Sequence, residues 1–170
     1  FKPLSNSSKN FFFNNASNLP TIITIGDSHF GSIEGDLISR FGDEFNFMTM
    51  SFTGCPMFLK HSRYEIKTNK RGKCTSEYQE LRLNKIKSFK NPIVILYSRL
   101  PLYISKSRFI NFNHELNDWG FEFRYSSGHP INYKSSFLKT VQEISKVTEN
   151  NIFNNYLIYL ITVIQQVSCK

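Results

Sequence analysis

Apolar positions along this chain follow two rhythms, and each change of rhythm marks a new element. Thr21-Ile22-Ile23-Thr24-Ile25 is an apolar, β-branched run that predicts a buried strand. Ile33, Leu37, Ile38 and Phe41 then recur at i, i+4, i+5 and i+8, which predicts a helix over 31–42. Phe45–Phe52 alternates apolar with polar residues and reads as a second strand, stopped by the turn chemistry of Thr53-Gly54-Cys55-Pro56. Residues 57–74 keep neither period and read as an irregular, basic loop. Tyr78, Leu81, Leu83 and Ile86 predict a helix over 76–90, with Ser76 as its cap. Pro92-Ile93-Val94-Ile95-Leu96-Tyr97 is the clearest buried strand. A polar and aromatic insertion, 101–134, separates it from a helix over 135–148. The apolar run Leu157–Ile164 suits a last strand and is too short to span a bilayer.

Strands alternating with helices predict an α/β fold, a three-layer sandwich around a mostly parallel sheet. One domain over 21–170 accommodates these elements. Residues 1–20, rich in Asn and Ser around Phe11-Phe12-Phe13, read as a linker or arm that lays aromatics on it. The chain begins with Phe rather than Met and shows no signal peptide, so it reads as a fragment or processed product. In parallel sheets, ligands bind beyond the carboxyl ends of the strands. Ser28 follows the first strand, Gly54 the second and Arg99 the third, so all three are expected on one edge.

Ser28 is the candidate nucleophile. A serine between a strand's end and a helix's start presents its hydroxyl, and the helix's first amides face developing negative charge. Gly26 is expected to let the backbone turn there. A serine hydroxyl needs a base to take its proton and donors for the oxyanion. The amides of Ser28 and Gly54, with Arg99 as a third donor, fit that need. Asp27 reads as a turn residue and His29 as a packing or hydrogen-bonding one. Of the other histidines, His114 and His129 lie in the insertion, where Trp119 reads as core.

Charge and cysteine content change this picture little. The net charge is +8, and the sharpest basic cluster is Lys67, Lys70, Arg71 and Lys73. It reads as a solvated loop: no aromatics interleave it and no nucleic-acid motif accompanies it, which disfavours a nucleic-acid-binding module. Cys55 and Cys74 either bridge or remain free thiols, and Cys169 is left over. Their spacing fits no zinc site.

Gly26-Asp27-Ser28-His29 resembles the first block of the SGNH hydrolases, a superfamily with a flavodoxin-like sheet. Ser51-Phe52-Thr53-Gly54-Cys55-Pro56 is similar to the second block of SGNH domains fused to bacterial membrane O-acyltransferases of acyltransferase family 3. Cys74 stands where the partner cysteine often falls in that subfamily. Ser98-Arg99 and Tyr103 follow a strand similar to its third, with Leu100 where Trp often stands. The resemblance covers about residues 20–148. It implies O-acyl transfer to, or ester hydrolysis on, cell-surface polysaccharide such as lipopolysaccharide O-antigen. It also implies a periplasmic site with an oxidised Cys55–Cys74 pair, tethered to the inner membrane by a transmembrane domain absent from this chain. The partners it implies are an acyl donor and a glycan acceptor; it implies no metal or organic cofactor. The family's C-terminal Asp-x-x-His has no match here, so the domain is expected to be incomplete at its C-terminus and, as an alternative, catalytically inactive.

Overall fold

The computed structural model describes residues 11–13, 16–28, 30–98, 109–110, 116–117, 120–125, 127–129 and 131–149. Phe11–Phe13 forms β1 and Thr21–Gly26 forms β2, followed by helix α1 over Gly31–Phe41 and β3 over Asn46–Thr49. His61–Glu65 is β4, Ser76–Lys87 is α2 and Ile93–Tyr97 is β5. Phe109–Ile110 (β6) and Leu116–Asn117 (β7) pair with each other. Phe121–Tyr125 is β8, and Tyr133–Glu149 is the helix α3.

The main sheet has the order β1-β3-β2-β5. β2 lies between β3 and β5 and runs parallel to both, while β1 pairs antiparallel on the outer side of β3. The period-2 alternation of strand side chains divides the core into two layers. Ile23, Ile25, Met48, Met50, Val94 and Leu96 meet Leu83 and Ile86 of α2 and Ile144 of α3 on one face. Ile22, Phe47 and Ile95 meet Phe30 and Ile38 on the α1 face. The three-layer α/β sandwich expected from the alternation of elements is therefore present. Full burial of an isoleucine such as Ile23 contributes about 1.5–3 kcal/mol, and this doubly covered strand concentrates such residues.

The chain order around β2 fixes where a site can form. β2 leads through α1 to β3 on one side; the connection through α2 then crosses to β5 on the other side. The strand order reverses at β2, so the crevice of this sheet lies beyond the carboxyl end of β2.

Four expectations are corrected. Residues 57–74 are not simply irregular: they contain β4, which pairs antiparallel with β8 from inside the insertion. β4 is polar in sequence, and its apolar complement, Phe121 and Phe123, lies far along the chain, so no local period reveals it. The aromatic triplet of the supposed arm is the edge strand β1. The second strand covers only Asn46–Thr49, although Met50 and Phe52 continue its alignment by donating to the carbonyls of Thr24 and Gly26 (2.8 and 3.0 Å). The cap of α2 is Thr75, whose hydroxyl accepts from the Tyr78 amide; Ser76 is buried and bonds to Ser62 instead. The predicted strand Leu157–Ile164 lies outside the described residues, as do His29, Arg99, Leu100, Tyr103, His114, Trp119 and Cys169.

β4, β8 and the residues around them enclose a second core of Cys55, Phe58, Cys74, Phe123 and Ile131. Cys55 and Cys74 form a disulfide there, with Cα atoms 5.4 Å apart. Among the described residues, no helix is long and apolar enough to cross a membrane.

Candidate active site

The first wall of the site is the turn after β2. Gly26 pairs with Tyr97 across the sheet, and a Cβ at Gly26 would stand 2.1 Å from the Tyr97 carbonyl oxygen and 2.6 Å from Phe30 Cβ. Glycine is required there by close approach rather than by a turn, since Gly26 does not have a positive φ. Asp27 follows, fully buried, and its carbonyl accepts from the Phe30 amide (3.1 Å). Ser28 emerges exposed. Phe30, at the N-cap of α1, supplies no side-chain acceptor, so the helix starts with its first amides uncapped and its positive end beside the Ser28 turn.

The second wall is the turn after β3. The Phe52 amide donates to the Gly26 carbonyl, so this segment leaves the sheet directly beside the Ser28 turn. Cys55 N–H closes the turn on the Phe52 carbonyl (2.9 Å), with Gly54 in the left-handed region at φ +62°. A side chain at Gly54 would be strained in that conformation and would also meet Arg63 Nη1 at 2.3 Å. Arg63, reaching from β4, donates to the carbonyls of Gly54 (3.1 Å) and Thr53 (3.5 Å) and stacks over Phe121. Among the described residues nothing accepts from the N–H groups of Ser28 or Gly54. The third wall is Ser98, next to Tyr97 at the end of β5 and half-buried. The structure thus brings together the exits carrying Ser28, Gly54 and Ser98 at one sheet edge.

One carboxylate joins the first two walls. Glu34 Oε1, in the first turns of α1, accepts from Thr24 Oγ1 (2.8 Å) and Ser51 Oγ (2.6 Å). Sequence reading missed Glu34. Its signal is an acid in the first turn of a helix, and its partners are hydroxyls at Thr24 of β2 and at Ser51 just past β3.

Sequence reading also missed the side chains beneath the second turn. Gln79 and Arg82 occupy the buried face of α2, both at 0% exposure, whereas Leu81, one of the apolar residues that predict the helix, is 52% exposed. Arg82 donates to the carbonyls of Met50 (2.6 Å) and Cys55 (3.0 Å) and stacks on Tyr78. Burial lowers its pKa, and Tyr78 opposes that shift. Gln79 Nε2 donates to the Pro56 carbonyl (2.9 Å) and lies against both sulfurs of the disulfide.

The described histidines stand elsewhere. His61, at the start of β4, is buried with Nε2 3.4 Å from Ser136 Oγ of α3 and its ring against Tyr125. Burial lowers its pKa, the backbone of Leu59 and Phe58 resists that shift, and Lys139 adds to it. His129 is exposed beyond β8, where its carbonyl accepts from Tyr125. A separate open groove of about 470 Å³ lies at the start of α2, lined by Lys60, Glu77, Glu80 and Tyr125. Glu77, in that groove, is held at a pKa of about 2 by its own amide in the helix's first turn, the Thr75 hydroxyl and Arg71.

No curated protein and no solved structure matches this chain. Residues 5–153, most of its length, match the family described as the SGNH domain fused to AT3 domains. Gly26-Asp27-Ser28 of the first block and Ser51–Pro56 of the second form adjoining walls of the sheet's crevice. The chain belongs to the family of SGNH domains fused to AT3 domains.

Proposed function

We propose that this chain carries out serine-dependent O-acyl transfer or ester hydrolysis on cell-surface polysaccharide such as O-antigen. Ser28 Oγ attacks the carbonyl carbon of an acyl ester while a base takes its proton. The oxyanion is received by the N–H groups of Ser28 and Gly54, with Arg99 as the third donor. The alcohol leaves, and a glycan hydroxyl or water then takes the acyl group from Ser28. The acyl donor is supplied by the membrane acyltransferase domain to which this family is fused, and the reaction takes place in the periplasm. One observation supports the reading: an exposed serine follows the central strand, and the exit of the adjoining strand, tied to Gly26 by the Phe52 amide, carries a buried glycine whose N–H has no partner among the described residues.

A second reading is an inactive domain that keeps the fold and binds glycan. It is favoured by the absence of any Asp-x-x-His from the 170 residues and by the engagement of His61 with Ser136. Hydrolysis of p-nitrophenyl acetate separates the two. The enzyme reading expects turnover that Ser28→Ala abolishes with no change in thermal midpoint, because Ser28 is exposed and makes no described hydrogen bond. Equal rates for the two proteins would overturn it in favour of the inactive domain.

A further inference from the structure

The segment Met50–Pro56 has an unusual division of its polar groups. The carbonyls of Met50 and Cys55 accept from Arg82, those of Thr53 and Gly54 from Arg63, that of Phe52 from the Cys55 amide and that of Pro56 from Gln79. Six of its seven carbonyls, all but that of Ser51, are thus engaged by the fold, while the buried Gly54 N–H is engaged by nothing among the described residues. A buried amide left without an acceptor is rare in a folded protein.

Arg82 holds the two ends of this segment at once. Its Nη2 takes the Met50 carbonyl, before the turn, and its Nη1 takes the Cys55 carbonyl, after it. The planar fork fixes the spacing between those carbonyls and hence the pitch of the turn between them. No carboxylate accompanies Arg82 among the described residues; two backbone carbonyls, the Gln79 side-chain oxygen (3.4 Å) and the Tyr78 ring are its partners. Burying a cation without a counter-charge is costly, and a hydrophobic residue would pack in that space at less expense. The cost is understandable if the guanidinium sets a geometry that an apolar side chain cannot.

We propose that Arg82, seconded by Gln79, is a positioning residue that aims the Gly54 N–H at the oxyanion, acting from the opposite side of the turn without touching substrate. The proposal rests on the serine-acyl-transfer reading above and adds to it the residues that shape its oxyanion hole. A lysine at position 82 keeps the charge but offers a single point donor, so it cannot span both carbonyls with the same spacing.

The test compares wild type, Arg82→Lys and Gln79→Met by p-nitrophenyl acetate kinetics, with the Ser28→Ala rate subtracted, and by the amide resonances of Gly54 and Ser28. The expected result for Arg82→Lys is a kcat about 10- to 100-fold lower with KM within about twofold, as for a misplaced oxyanion donor. The Gly54 resonance shifts and the Ser28 resonance does not. Gln79→Met, which releases the Pro56 carbonyl and removes the Oε1 that accepts from Arg82 but leaves both Arg82–carbonyl bonds available, shows a smaller change of the same kind and serves if Arg82→Lys does not fold. A folded variant with wild-type kcat and an unmoved Gly54 resonance would overturn the proposal. Should wild type lack Ser28-dependent turnover, the acyl-transfer reading falls, and the Gly54 resonance alone still decides whether Arg82 sets the turn.

Discussion

The two turns that wall the crevice are built by opposite means. The Ser28 turn is held by backbone: Gly26 lies flat against the Tyr97 carbonyl, Asp27 closes on Phe30, and α1 begins without a capping side chain. The Gly54 turn is held by side chains from elsewhere, Arg63 from β4 and Arg82 and Gln79 from α2, and by the disulfide. The difference teaches that one strand exit can be shaped by close backbone approach to a neighbouring strand, while the next depends on side chains gathered from across the fold.

The largest effect should come from breaking the backbone-built turn. Gly26→Ala drives a methyl into the Tyr97 carbonyl and Phe30, so the backbone of β2 or β5 or the start of α1 must shift. A loss on the order of 3 kcal/mol or more is expected, at the upper end for overpacking, read as a lower urea midpoint. An Ala variant with a wild-type midpoint would show that the β2–β5 approach is loose. Next is the covalent brace of the other turn. Cys74→Ser, or reduction of wild type, should cost about 3 kcal/mol, because the cross-link restrains a 19-residue separation in the unfolded chain. In this case the amide resonances around Gly54 should move more than those around Ser28; equal movement would erase the contrast between the two turns.

The smallest effect sharpens the comparison through pH. His61 begins the strand that carries Arg63, and Ser136, Tyr125 and Lys139 face it. Its pKa is lower in the folded protein than the ordinary 6.5, so the unfolded chain takes up the proton first. The stabilisation is therefore complete above about pH 6.5 and is lost as the pH falls toward the depressed folded value, at no more than about 1.4 kcal/mol per unit. Thermal midpoints between pH 7.5 and 5.5 should decline in wild type and decline less in His61→Gln. Parallel curves would assign the acid sensitivity to other groups.

How far the sequence could be read follows the same division. The parallel strands were legible because Thr21–Ile25 and Ile93–Tyr97 are buried on both faces and so read as continuous apolar runs. Helix α1 was legible from its apolar spacing, and Ser28 and Gly54 from turn chemistry at two strand ends. β4 was not, because the Phe residues that cover it arrive only with β8. Arg82 was not, because a charged residue on a helix is ordinarily assigned to solvent, and only the carbonyls of a remote turn reverse that assignment. A signal did exist: Gln79, Arg82, Leu83 and Ile86 share one side of α2, and two polar residues among apolar ones ask what they are bonding. The Cys55–Cys74 bridge was undecided from spacing and followed only from the family resemblance.

The position of β2 in the main sheet also bears on how the protein is made. Ile22 aligns with Phe47 on one side and with Ile93 on the other. During synthesis the strand that leads to Ser28 is followed first by β3, its neighbour on one side. Its second neighbour follows only after α2 has been translated. Until then one flank of β2 lacks its β5 partner, and a nascent chain at that stage holds Ser28 at an unfinished border. Completion of the crevice therefore waits on the arrival of β5 rather than on that of the serine itself.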